Sequence, residues 1–167
     1  IKKLEPLLAS VLPIPKRRIL SKEEVESLIL DVTEQPIERP KKGQKDYYSG
    51  KKKYHTLKTE LRINQEGTIV QVSKSYPGKT HDFAIFKQEP PPPDQVLLQA
   101  DRGYQGLNKL YEMAVNPYKS SKKRALSSEQ KLYNKELARN RCRIEHVIRD
   151  IKVFKICLLY TSPSPRD

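Results

Sequence analysis

Cysteine is almost missing from this chain, with Cys142 and Cys157 the only two. So few exclude a disulfide framework and a zinc site of the common four-ligand kind, and a reducing intracellular setting is expected. Long apolar runs are missing as well. The opening stretch IKKLEPLLASVLPIPKRRIL interrupts its short apolar pieces with Pro6, Pro13 and Pro15, so neither a secretory signal nor a membrane span is expected there. Glycine-rich phosphate loops are absent. Gly103 and Gly106 of DRGYQG are too few for a nucleotide-binding fingerprint and no P-loop occurs, which leaves ATP use unsupported. No Ser-His-Asp or Cys-His signature and no internal repeat is found. Acidic residues are in deficit, 20 Asp+Glu against 33 Lys+Arg, for a formal net charge of +13. That excess favours a polyanionic partner, nucleic acid ahead of an anionic membrane surface, although a solvated surface carries such charge equally well. A length of 167 residues fits one domain with one core. The first residue is Ile1 and not Met, so the chain is expected to continue upstream, where a separate module would lie.

What the chain does have is a run of segments with readable period. Ser27–Thr33, inside VESLILDVTEQPI, is predicted as a strand that Pro36 must stop. Pro40–Lys53 holds Lys41, Lys42, Lys45, Lys51, Lys52 and Lys53 among Gly43, Gly50, Tyr47 and Tyr48, which suits an exposed basic loop. Tyr54–Ile63 and Thr68–Ser73 alternate apolar and polar residues on either side of the Asn64–Gly67 turn, a hairpin signature. Thr80 is placed to cap a short helix through Phe83, Ile85 and Phe86, and Pro90–Pro93 then forces an extended connector. Val96–Ala100 reads as a buried strand running into Asp101, Tyr104–Met113 as a helix, Ala114–Tyr118 as a last strand, and Ser127 to about Ile156 as a long helix. This order describes an α/β domain with a mixed sheet over residues 25–157. A lead-in, 1–24, precedes it. The tail LLYTSPSPRD, 158–167, leaves the helical pattern, and its Ser-Pro steps favour extended, disordered chain.

Asp31 and Asp101 fall late in, or just after, their predicted strands, where sites in open α/β sheets gather, and Glu145 lies on the last helix. Converging, they would suit hard divalent cations, which bind through few carboxylates and keep water and phosphate in the shell. Two such ions about 3.5 to 4 Å apart activate a water or a 3′-hydroxyl and stabilise the leaving oxygen, without a nucleophilic side chain. With 20 acidic residues many triples exist, and solvated surface acids are the competing reading. The surrounding sequence decides between them. ILDVTEQPIERPKKGQKDYYSGKKKYHTLKT, ADRGYQG and NRCRIEHVIRDIK closely resemble, in order, three blocks of DDE transposases of the branch called insertion sequence five, across roughly Pro6 to Ile156.

The resemblance implies a ribonuclease H-like fold in which Asp31, Asp101 and Glu145 are the first, second and third catalytic carboxylates and the ligands of Mg²⁺ or Mn²⁺, two ions in all. It implies double-stranded DNA as partner, both element ends and target, in a bacterial cytoplasm beside the nucleoid, with no membrane; a homo-oligomer on DNA stays open. In the last block Arg141, Glu145 and Lys152 keep the family's Arg, three residues, Glu, six residues, Lys pattern, and such offsets share a helix face. Arg141 as a fork and Lys152 as a point charge could then grip phosphates beside the scissile bond. Ordinary Arg141–Glu145 pairing, worth about 0.2 to 0.5 kcal/mol, is the alternative. The family's Tyr three residues before the Arg is Ala138 here, so its role is not carried over. His81 and Asp82 of GKTHDFAIF also resemble a family block, but a capping or structural pair competes and neither is assigned to catalysis. Lys51, Lys52 and Lys53, with Lys122, Lys123 and Arg124 beyond Lys119, are candidate DNA tracks, Tyr47 and Tyr48 being able to pack on sugars or bases. Two further functions compete: a catalytically silent DNA-binding remnant, and a ribonuclease H-like nuclease outside transposition.

Overall fold

The computed structural model describes residues 19–121 and 125–153. Lys122, Lys123 and Arg124, the 158–167 tail and most of the 1–24 lead-in lie outside the described residues. The strands are β1 (Ser27–Pro36), β2 (Tyr48–Ser49), β3 (Tyr54–Ile63), β4 (Ile69–Val72), β5 (Tyr76–Pro77), β6 (Leu97–Gln99) and β7 (Ala114–Val115). The helices are α1 (Gln44–Tyr47), α2 (Asp82–Gln88) and α3 (Ser128–Val153). The main path of the sheet runs β2-β3-β1-β6-β7. β1 is antiparallel to β3 and parallel to β6, and β6 is parallel to β7. The far edge of β3 is taken in turn by β2, β5 and β4. The result is a mixed sheet flanked by helices, compatible with a ribonuclease H-like domain.

β1 is buried on both faces over its first half, which is why Leu28, Ile29 and Leu30 are continuously apolar instead of alternating. Leu28 and Leu30 pack with Phe86, Val96, Leu98, Tyr104 and Leu107 on the α2 side. Ile29 packs on the other side with Leu61, Ile63 and the α3 residues Ile144 and Ile148. α3 therefore needs only a narrow apolar stripe, and Leu137, Ile144 and Ile148 are its buried residues. Its start is a capping box: Ser127 Oγ accepts from the Gln130 N–H at 3.2 Å while Gln130 Oε1 accepts from the Ser127 N–H at 3.1 Å. Asn134 then clamps the helix to the chain leaving β7, accepting from the Tyr118 N–H at 2.8 Å and donating to the Tyr118 carbonyl at 3.0 Å.

Several expectations change. Tyr104–Met113 is not an α-helix but two 3-10 turns, Arg102–Tyr104 and Leu107–Lys109, because Gly106 sits between them at φ 96° in the left-handed region. Thr80 does not cap α2; His81 occupies that position without a side-chain cap bond. The basic loop is partly ordered, containing α1 and the short β2. It is tied down where the Asp46 carbonyl accepts from the Lys79 N–H at 2.9 Å, and Gly78 leaves no room for a Cβ beside the Tyr47 carbonyl and Thr56. The last strand shrinks to Ala114–Val115. Among the described residues, no helix is long and apolar enough to cross a membrane.

Candidate active site

The parallel pairing of β1 with β6 ends at Ile29↔Gln99. Carried on by the same register, it sets residue 31 level with residue 101, so two aspartates distant in sequence meet where the strands part. Both line one cleft of about 280 Å³. Asp101 is the first residue beyond Ala100 to leave the strand, and its Oδ1 accepts from the Gly103 N–H at 2.7 Å, starting the first 3-10 turn. That turn is anchored from beneath. Tyr104, fully buried, donates to Glu60 Oε2 at 2.9 Å, Arg62 Nε donates to Glu60 Oε1 at 2.8 Å, and Arg62 also donates to the Pro90 carbonyl at 2.7 Å. Burial raises both Glu60 and Tyr104 above their ordinary ranges, with Arg62 opposing the shift on the carboxyl.

Asp31 is the most perturbed acid of the cleft. Its carboxyl is pushed up from an ordinary 3.8 to about 6, chiefly by burial and further by the charges of Asp101 and Asp82, against the pull of Arg141. Arg141 reaches from α3 to within 3.7 Å of Asp31 Oδ2. Its Nε is buried and has no hydrogen-bond partner among the described residues, so the guanidinium is held beside Asp31 with one donor unsatisfied. Arg141 lines an adjoining cleft of about 260 Å³, which shares Asp101 with the first and also touches Asn134 and Ala138. At the rim of the Asp31 cleft stand Tyr48, Lys51 and Lys79, so the pinned basic loop brings cations to the acidic floor. Lys52 and Lys53 are exposed beside it.

Sequence reasoning set Asp82 aside, yet this residue lines the same cleft. Lys58 Nζ donates to Asp82 Oδ1 and to the Thr80 carbonyl, both at 2.8 Å, and stands 3.7 Å from Glu34 Oε1. The other oxygen of Asp82 faces Gly103. A Cβ on Gly103 would fall 2.6 Å from Asp82 Oδ2 and 2.9 Å from Asp101 Oδ1. The signal in the sequence was the pairing of an acid at the first turn of a helix with a glycine two residues after another acid; neither half is informative alone.

Glu145 is not brought into this group. It is exposed on α3, one turn beyond Arg141, and is not among the residues lining either acidic cleft. Lys152 is exposed near the described end of the same helix. A larger cleft of about 540 Å³, between α3 and the sheet, is lined by Arg139, Arg143, His146 and neutral residues and holds no carboxylate. Among the described residues, no three of His, Cys, Asp and Glu stand close enough together to hold a metal ion. The pair over Gly103 nonetheless fits a cation that takes most of its ligands from water and phosphate, since hard ions of that kind use one or two carboxylates. The space a side chain would fill at residue 103 is bounded by carboxylate oxygens, as such an ion requires.

The family described as DDE superfamily endonuclease matches residues 30–166. The chain belongs to that family. A probable transposase for insertion sequence element IS702 from Microchaete diplosiphon is 43% identical over 143 residues, covering 84% of this chain. The chain spans about half, 52%, of the length of that relative. No solved structure matches. Family members of this kind are metal-dependent nucleases, so the DDE domain accounts for why acids crowd the ends of β1 and β6.

Proposed function

We propose that this chain is the catalytic domain of a DNA transposase, cutting DNA at the ends of an insertion element and joining the freed 3′-hydroxyl to target DNA. The observation that carries the reading is that Asp31 and Asp101, each two residues beyond the last residues paired between β1 and β6, line one cleft rimmed by Lys51 and Lys79. Asp31, Asp101 and Glu145 are the carboxylates assigned to catalysis and to Mg²⁺ or Mn²⁺, with domain bounds of 25–157. Paired ions held there would activate the attacking hydroxyl and offset charge on the leaving oxygen. The chain's own part is positioning. Asp101 is fixed by the Gly103 N–H, Asp31 is fixed in the sheet, and Arg141, which lines the adjoining cleft, offers its guanidinium to a phosphate oxygen beside the scissile bond. Lys51 and Lys79, with Lys52, Lys53 and Lys152 further out, carry the flanking double-stranded DNA by its phosphates, a contact that does not read sequence. Glu145 is retained as the third carboxylate because the block RIEHV that holds it resembles the family's last catalytic block. In this reading α3 moves toward Asp31 once metal and DNA are in place.

The test is a cleavage assay on element-end DNA with Mg²⁺ or Mn²⁺. Asp31→Asn, Asp101→Asn and Glu145→Gln should each abolish product while leaving DNA binding intact. Cutting that survives Asp101→Asn would reject the assignment. The exposed placement of Glu145 favours one other reading, a silent DNA-binding remnant. That reading wins if the purified chain binds DNA with steep salt dependence and never cuts under either metal.

A further inference from the structure

We propose that Asp82 is a further metal-binding carboxylate of this site, sharing with Asp101 a divalent cation held over Gly103. The inference rests on the transposase reading above and extends it to a residue outside the Asp31, Asp101, Glu145 set.

Three observations converge. The first is the glycine. Gly103 is not among the residues with positive φ, so its backbone is open to any amino acid and conformational freedom does not explain its presence. What excludes a side chain is oxygen: Asp82 Oδ2 at 2.6 Å and Asp101 Oδ1 at 2.9 Å from where a Cβ would sit. Two carboxylates facing one small space repel each other, and the ammonium of Lys58 contacts Oδ1 of Asp82, not the Oδ2 that faces this space.

The second is the way Asp82 is held. Lys58 takes Oδ1 at 2.8 Å and is itself fixed by the Thr80 carbonyl and by Glu34. An acid paired only for stability has no need to keep its second oxygen turned toward another carboxylate. Here one oxygen is anchored and the other is presented, which is how a supporting cation orients a ligating carboxylate. Asp82 itself is the first residue of α2, on a short rigid element and not on the basic loop.

The third is the neighbourhood. Asp31, Asp82 and Asp101 line the same cleft, whereas Glu145 does not. Asp82 is thus in place before any helix moves, and the cation it shares with Asp101 would be bound ahead of the one that needs Glu145. Glu34 also lines the cleft, but its carboxylate stands by Lys58 and accepts from Thr56, and it is not among the atoms that bound the space over Gly103.

Mn²⁺ binding to the full chain, read from the loss of the free-ion electron paramagnetic resonance signal without DNA, tests this separately from activity. Asp82→Asn keeps an oxygen for Lys58 and removes only the charge, so the fold, checked by circular dichroism, should persist. It should weaken Mn²⁺ binding about tenfold or more, as should Asp101→Asn and the steric variant Gly103→Ala. Glu112→Gln, an exposed acid away from the cleft, should change nothing. Unchanged Mn²⁺ binding in both Asp82→Asn and Gly103→Ala, alongside a loss in Asp101→Asn, would overturn the proposal and leave the transposase reading standing. Unchanged binding in Asp31→Asn and Asp101→Asn as well would overturn that reading itself, and the proposal with it.

Discussion

Asp31 shows how much of a catalytic residue can be read before folding and how much cannot. Its place after an apolar run marked it as a strand acid, and the block around it marked its family role. Its energetics depend on neighbours that sequence spacing does not reveal. Folding seats it beside Asp101 and Asp82 and buries it, which raises its carboxyl to about 6. A folded value above the unfolded one means that the native state holds the proton more tightly. Stability from this group is therefore complete below about 4, declines as the pH rises, and is gone above about 6. The rise of the carboxyl corresponds to something on the order of 3 kcal/mol. Asp31→Asn should accordingly be more stable than the wild type at neutral pH without metal, by on the order of 1 to 3 kcal/mol, with the gap closing near pH 4. Urea denaturation of both proteins across that range measures it, and because other acids titrate in both, only the difference matters. A gap that does not change with pH would show that Asp31 is not the buried acid described. Divalent metal, which needs the carboxylate charged, should bind less well as the pH falls through about 6.

At the scale of elements, what the sequence made legible was whatever its own period encoded. β1, the β3–β4 hairpin, α2, β6 and α3 all follow from apolar spacing and turn residues. What it hid was decided by contacts between segments. The stretch after Asp101 carries enough apolar residues for a helix, but Tyr104 is drawn down to Glu60 and Gly106 turns the chain out of helical geometry, so two 3-10 turns form instead. β5 is too short to show a period and exists only because β3 offers it an edge at Leu57 and Lys58. The buried Glu60–Arg62 pair was equally invisible, because the two residues alternate with Leu61 as surface residues of a hairpin would. In fact they face the α2 side, with the Arg62 guanidinium 5.0 Å from the Phe86 ring centroid. This pair joins β3 to the turn that holds Asp101. Glu60→Gln would remove the carboxylate that pairs with the buried Arg62 guanidinium, a change that costs about 3 to 5 kcal/mol. Tyr104→Phe removes one hydrogen bond to a charged group and should cost about 1.5 to 3 kcal/mol. Chemical denaturation of the two variants should preserve that order, and a loss under about 1 kcal/mol for Glu60→Gln would mean that the pair is not buried as described.

For the whole molecule, the question is what a formal net charge of +13 does when the functional cleft is acidic. The signs are separated in space. The floor gathers Asp31, Asp82 and Asp101, while the rim and the loop from 41 to 53 carry lysine. A phosphodiester backbone is thereby attracted to the rim and meets the floor only where cations offset the acids, so DNA affinity and metal affinity reside in different residues. Lys51, Lys52 and Lys53 stand at the boundary, with Lys51 in the cleft wall and the other two exposed beside it. Replacing all three by Ala should lower the slope of log K against log salt by about 0.9 for each phosphate no longer neutralised, hence by up to about 3 on a duplex. Mn²⁺ affinity measured without DNA should stay the same, because none of the three touches the carboxylates. Fluorescence anisotropy across a salt series supplies the slope, and an unaltered slope would show that the DNA path avoids this loop. The complementary change, Asp101→Asn, should leave the slope nearly as it is while removing metal binding and cutting. Two variants failing in opposite assays would establish that one sheet end supplies the chemistry and one pinned loop supplies the grip.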